Sequence, residues 1–349
     1  MRRGLVTWAA AAAILALGLT GCTATPEPRP TKTSAASSPT PTPTPTEEPI
    51  VAPEAAFDLD CDDVATAMSG LVGETRAPVA PRLSDVSSPN WYPGPAQFMM
   101  QRASGVACSS EGAEVQWEVV VLPDADSIVD GITDRGYEVS TGTRCQDAYS
   151  CATTIVRDDV LVTARAASPS TTADGSRMQE AIEGLLSAAV ESRRDVPYIA
   201  SDLAGVACER LLTPEELQEQ LDAPVVLVDP ASLGGWGIPA EVYFARNDSR
   251  MCMYSTGADI YGSTTHLTIT MLPAGAWAFE EMGGEPAVVA GADEAKTSTD
   301  VHGNAALDIR VGLDWLRVTT YEAGESAADA VALAEMIVEH FTLGRPAPQ

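Results

Sequence analysis

Two patterns of apolar positions, each met twice, organise the chain. Val115, Trp117, Val119 and Val121 alternate with Gln116 and Glu118, and Leu267, Ile269 and Met271 alternate with Thr268 and Thr270. A period of two puts the apolar set on one face, so both stretches predict half-buried strands. Met178, Ala181, Ile182, Leu185, Leu186 and Ala189 fall near i, i+3, i+4, i+7, as do Ala330, Val331, Ala334, Ile337, Val338 and Phe341. That spacing predicts an amphipathic helix at the end of each half, with one buried face.

Aligning the halves at Cys108 and Cys252 extends the match. Pro95-Ala96-Gln97 begins thirteen residues before the first cysteine and Pro239-Ala240-Glu241 thirteen before the second, with Trp91 and Trp236 ahead of them. The strand runs end in Leu122-Pro123 and Leu272-Pro273, and each then enters a short helical stretch. Ala152–Ala164 pairs with Ala306–Val318 as two strands around a tight polar turn, and Cys61-Asp62-Asp63-Val64 matches Cys208-Glu209-Arg210-Leu211 at a helix start. Thr213-Pro214-Glu215-Glu216 has the form of a capping box with proline at the first helical position. A period of about 150 residues means duplicated domains, since solenoid repeats are far shorter. The turns are too short for parallel crossovers, so the expected class is α+β: two tandem domains, 56–196 and 197–349, each a largely antiparallel sheet packed with flanking helices.

Residues 1–21 read as a secretory signal, with Arg2 and Arg3 ahead of an apolar run from Leu5 to Leu19. Leu19-Thr20-Gly21-Cys22 reads as a lipobox, so Cys22 is the expected site of lipidation and the point of contact with the membrane. Residues 22–55, rich in threonine, proline and serine, cannot bury a core and form a stalk. Together these place the chain, as an expectation, at the outer face of the cytoplasmic membrane.

Charge and composition narrow the chemistry. With 49 acidic and 21 basic residues the formal net charge is −28 and no basic stripe stands out, which argues against nucleic acid as a partner. Apart from Cys22 there are six cysteines, Cys61, Cys108, Cys145, Cys151, Cys208 and Cys252, and an even set outside the cytosol suggests three disulfides. The duplication selects Cys61–Cys108 and Cys208–Cys252 as equivalents and leaves Cys145 with Cys151, a local staple where the second half has Thr299 and Ala305. His266, His302 and His340 lie at no ligand spacing, so no metal or other cofactor is expected. No Gly-x-Ser-x-Gly elbow is present, no catalytic residue can be named, and the chain does not read as an enzyme. Asp58-Leu59-Asp60-Cys61-Asp62 looks like half a calcium loop, but Asp63 and Ser69 stand where glycine and glutamate are needed, which leaves helix capping. Asn247-Asp248-Ser249 fits a glycosylation sequon and reads as a turn.

Three pieces of the second half carry a resemblance: Cys208-Glu209-Arg210-Leu211-Leu212-Thr213-Pro214-Glu215-Glu216-Leu217, then Gly291-Ala292-Asp293-Glu294-Ala295, then the hairpin Leu307–Gly312 to Trp315–Val318. Together they resemble a family of secreted actinobacterial lipoproteins whose globular part is similar to the PsbP/Mog1 sandwich. The resemblance implies a fold and a compartment and carries no catalytic residue. The first half lacks a recognisable counterpart of Gly291–Ala295.

The most unusual loops are Trp91-Tyr92-Pro93-Gly94-Pro95 and Gly234-Gly235-Trp236-Gly237-Ile238-Pro239. Such aromatics either line a ligand groove or plug the end of the sandwich. Trp91, Tyr92 and Trp236 are the candidate ligand-binding residues, with the second half preferred for its glycines and its family-like segment. Three functional readings follow: a binding protein for a small molecule or envelope component, an accessory subunit docking on a membrane or cell-wall protein, and an envelope hydrolase, the last disfavoured. Cys22→Ala should release the chain from the membrane fraction or leave it unprocessed. A mature, fully membrane-bound variant on fractionation would remove the anchor from the picture.

Overall fold

The computed structural model describes residues 50–72, 78–84, 94–111, 116–146, 150–167, 174–228, 236–259, 262–300, 303–321 and 327–344. Cys22, Trp91, Tyr92 and His302 lie outside the described residues.

The first half runs α1 (Cys61–Val72), β1 (Val79–Ala80), α2 (Met99–Arg102), β2 (Val106–Glu111), β3 (Gln116–Pro123), α3 (Ala125–Asp134), β4 (Gly142–Cys145), β5 (Ser150–Arg157), β6 (Val160–Ala167) and α4 (Gly175–Ser192). The second runs α5 (Cys208–Leu211), α6 (Pro214–Leu221), β7 (Val226–Val228), α7 (Ile238–Ala240), β8 (Met251–Ser255), β9 (Thr265–Leu272), α8 (Ala276–Phe279), β10 (Glu285–Ala287), β11 (Glu294–Thr299), β12 (Ala305–Val311), β13 (Asp314–Thr320) and α9 (Ala327–Thr342). Each half is one wholly antiparallel sheet with helices, an α+β fold. The strand orders are β1-β2-β3-β6-β5-β4 and β10-β11-β12-β13-β9-β8-β7, the same order with one extra edge strand, β10.

Local chemistry accounts for the helix starts. Asp60 accepts from the backbone amides of Asp62 and Asp63 at 2.9 and 3.0 Å, so the acidic cluster there caps α1. Asp174 caps α4 by accepting from Ser176 and Arg177, and Thr213 with Glu216 closes the capping box of α6. Three disulfides are present. Cys61–Cys108 ties α1 to β2, Cys208–Cys252 ties α5 to β8, and Cys145–Cys151 joins β4 to β5. The two long-loop bridges each contribute about 4 kcal/mol in the chain-entropy account.

Each sheet has one face under its own helices. Val119, Val121, Val162 and Ala164 meet Met178, Ile182 and Leu186 of α4, and Ile269, Leu307, Leu316 and Val318 meet Ala334, Ile337 and Val338 of α9. The opposite faces are covered by the other half. Ala107, Val120, Leu122 and Leu161 share a core with Val228, Val242, Tyr243, Met251 and Met253, while Phe98 enters a cluster with Leu272, Phe279 and Trp315.

The covering pieces are the segments that begin with the matched tripeptides: a 3-10 turn, Gly94–Phe98, running into α2, and α7 running into a π-helical turn, Glu241–Arg246. Each reaches across. Arg102 donates to Pro273 O at the end of β9, and Arg246 pairs with Asp124 just past the end of β3. Asn247 also crosses, donating to Met99 O at 2.8 Å from a fully buried position, so this sequon asparagine is a packing residue. Asp124 and Ala274 hold the same left-handed backbone after the matched Leu-Pro pairs, as do Ser104 and Asp248 before β2 and β8. Residue i touching j while j's counterpart touches i's is the reciprocity of an isologous dimer, here within one chain.

Because two of the four hydrophobic clusters draw on both halves, the described body should unfold in a single calorimetric transition. Residues 197–349 made alone, with Leu272 and Trp315 uncovered, should bind a hydrophobic dye strongly. Two resolved transitions would mean that the halves are energetically independent.

Candidate functional site

The face of the second sheet that the first half covers carries a buried charge pair. Asp308 is fully buried and Arg317 is 4% exposed; the guanidinium holds the carboxylate through two hydrogen bonds of 2.8 and 2.7 Å. Trp315 Nε1 donates to the same carboxylate at 2.8 Å. Gly94 of the first half lies on this pair with φ +71°, and a Cβ there would sit 2.6 Å from the Arg317 guanidinium carbon. A bidentate buried pair with its remaining lone pairs satisfied is a positioning device more than a source of stability. At the equivalent places the first half has Thr154 and Thr163, joined hydroxyl to hydroxyl at 3.1 Å, and Leu161 for Trp315.

Trp236 stands where the two halves meet. It is half-buried, packing on the edge of the shared core, with its ring 5.6 Å from that of Phe244. Its indole N–H donates to Glu241 at 2.7 Å, and Glu241 is only 4% exposed. Arg135, just past the end of α3, pairs with the same carboxylate at 2.9 Å and lies 4.5 Å over the indole ring. A Cβ at Gly131 would collide with the Glu241 carboxylate, so α3 approaches it through a residue without a side chain. Tyr243 braces the turn from behind: its hydroxyl lies 2.8 Å from Met271 O and accepts from Met271 N, and burial pushes the phenol well above its usual range, keeping it neutral.

In front of this cluster lies an open groove of about 630 Å³. Leu227, Val228, Phe244 and Met251 form apolar wall; Arg135 and Arg250, with Glu209 and Asp248 against them, bring charge to the space. The arrangement offers an aromatic surface, an apolar wall and a few polar groups, the composition of a small-molecule site. Among the described residues that line it, no nucleophile stands beside a base. Among the described residues no group of three or more His, Cys, Asp or Glu side chains is placed to hold a metal. His266 is buried with Nε2 3.2 Å from Pro224 O, and His340 Nδ1 is 2.9 Å from Leu211 O; both serve packing.

Trp236 therefore lines a groove and also completes a buried polar cluster, whereas the loop's sequence expressed only the first of these. Arg135 and Glu241 were not among the sequence candidates. A signal for Glu241 existed, a lone acid inside Ile238-Pro239-Ala240-Glu241-Val242-Tyr243-Phe244; nothing local points to Arg135 as its partner.

No known protein family, curated protein or solved structure matches the chain.

Trp236→Phe keeps a ring against Phe244 and deletes the N–H that Glu241 accepts from. It should lower the unfolding free energy by about 1–3 kcal/mol in chemical denaturation, the cost of an unmade bond to a buried charged group. In a Glu241→Gln background the same change should cost less, because a neutral amide needs the donor less. Equal losses in both backgrounds would separate Trp236 from Glu241.

Proposed function

We propose that the chain is a lipid-anchored extracytoplasmic binding protein, tethered through Cys22 and a Pro/Thr-rich stalk, that holds a small molecule in the groove beside Trp236 and performs no chemistry of its own. The observation that carries this reading is the groove itself: an apolar wall and an aromatic ring held in place by a buried carboxylate and an arginine from the opposite half. Preorganised walls of that kind suit recognition, since little ordering is left to be done on binding. Docking on a partner through a sheet edge has less support, because the edge strands β1, β4, β7 and β10 span only two to four residues each. Placement at the outer face of the cytoplasmic membrane rests on the lipobox and on the three disulfides. The kinship of each half with the PsbP/Mog1-like sandwich belongs to the same proposal and rests on sequence motifs alone.

The test is native mass spectrometry of full-length chain purified from its own host's membranes, beside Ala245→Trp, which fills the groove from an exposed position on its lining. The wild-type chain should carry a small-molecule adduct that the variant lacks. The same adduct on both, or none on either, would overturn the assignment of this groove.

A further inference from the structure

The two halves share a strand order but differ at one place on the sheet face opposite their own helices, and three differences coincide there. In the second half, neighbouring cross-strand rows hold Ser298-Ala306-Thr319 and Lys296-Asp308-Arg317, with Asp308 and Arg317 filling the space beneath Gly94. The first half has Arg144-Ala152-Arg165 in the first row and Gly142-Thr154-Thr163 in the second. Large buried side chains have been exchanged for small ones, and two arginines have been placed where the second half has serine and threonine.

The result is a groove of about 370 Å³, floored by Ala152 and Thr154 and flanked by Arg144 and Arg165, with Gly237 and Ile238 of the second half at its margin. Arg144 and Arg165 lie on one face, two strands apart, so their Cα atoms stand about 10 Å from each other. Guanidinium side chains are long enough to meet one small group from both sides across Ala152. Both arginines are exposed and neither has an ion-pair partner among the described residues; Arg144 donates only to Ser140, at 2.9 Å. In a chain of net charge −28 such a pair is an exception to the surrounding field. Glu138 faces the same space and supplies an acceptor for a ligand's own donor, while Glu118, opposite Arg165 on β3, accepts from the Ser84 amide.

The third difference is the disulfide. Cys145–Cys151 closes β4 onto β5 next to Arg144 and Ala152, and the second half has Thr299 opposite Ala305 at that register. The staple is added to the wall of the half that carries the open groove and the arginines, where it limits the spread of the two strands.

We propose that this groove is a binding site for a small oxyanion, a carboxylate or a phosphate that also bears a hydroxyl group. The arginines take the anionic oxygens and Glu138 takes the hydroxyl. The site does not use Trp236 or its groove, so Ala245→Trp leaves it intact and the two assignments fail or stand separately.

Isothermal titration of the full-length chain with glycerol 3-phosphate, lactate and inorganic phosphate tests it. At least one of the two hydroxylated anions should bind more tightly than inorganic phosphate, and the preferred one decides between phosphate and carboxylate. Arg144→Ala/Arg165→Ala should weaken that binding at least about tenfold through loss of charge-assisted bonds, with unchanged thermal unfolding. Ala152→Phe, which fills the floor from an exposed position, should weaken it similarly, whereas Arg157→Ala, an exposed arginine bonded to Ser187 outside the groove, should leave it as it was. No binding of either hydroxylated anion, binding that survives in the double variant, or an equal loss with Arg157→Ala would overturn the site.

Discussion

An antiparallel sheet of six or seven strands has two faces, and the helices of each half cover only one of them. The second face of each sheet carries Leu122, Leu161 and Val120 in one case and Leu272 and Trp315 in the other, and leaving such residues in water is costly. The rest of the structure follows from the way that face is kept dry. Each half sends a short helical segment across, and the paired segments interlock through Arg102, Arg246 and Asn247. Both grooves described above are lined in part by residues from these crossing segments or from the loops that lead into them.

The polar groups caught under these segments set the character of each side. Asp308, Arg317 and Trp315 satisfy one another in the second half, so their burial is tolerated without water. Glu241 is treated likewise by Trp236 and Arg135. Where the first half has threonines and an alanine instead, the interior is less filled and solvent-accessible space remains. Two sheets of the same strand order thus differ in where volume and charge sit, buried in the second and at the surface in the first.

Much of the architecture is legible along the chain because it is encoded over short distances. Alternation at Trp117–Val121 and Leu267–Met271, the faces of α4 and α9 and the capping box at Thr213 all rest on neighbours a few residues apart; the pairing of the matched cysteines, 47 and 44 residues apart, was legible only because the two halves match. The exception is instructive. Asp308 and Arg317 alternate with Leu307, Ile309, Leu316 and Val318, and a period of two assigns them to solvent; in the structure they are among the most buried charges. Periodicity separates two faces but says nothing of what lies on the polar one. Pro95-Ala96-Gln97 and Pro239-Ala240-Glu241 were recognisable as equivalents, yet that they cross to the other half depends on contacts between residues more than a hundred apart, which no local pattern expresses. The candidate site was legible to the same degree: Trp236 stood out as an aromatic among glycines, whereas its partner Arg135 belongs to an ordinary helix end.

The way the chain enters its folded body bears on how it resists a pull. Residues 55–58 run alongside the end of α4: Arg194 N donates to Ala56 O at 2.9 Å, Arg194 Nε to Ala55 O at 3.2 Å, and Asp58 N to Ser192 Oγ at 3.1 Å, while Phe57 is sunk in the first half's core. Tension arriving through residue 50 meets these bonds and the Phe57 plug together before it can peel any strand from a sheet. Just beyond, Cys61–Cys108 hands the force covalently to β2, an interior strand. A load applied at residue 50 is therefore shared between a buried plug, three hydrogen bonds and a covalent bridge before any strand of either sheet is peeled away.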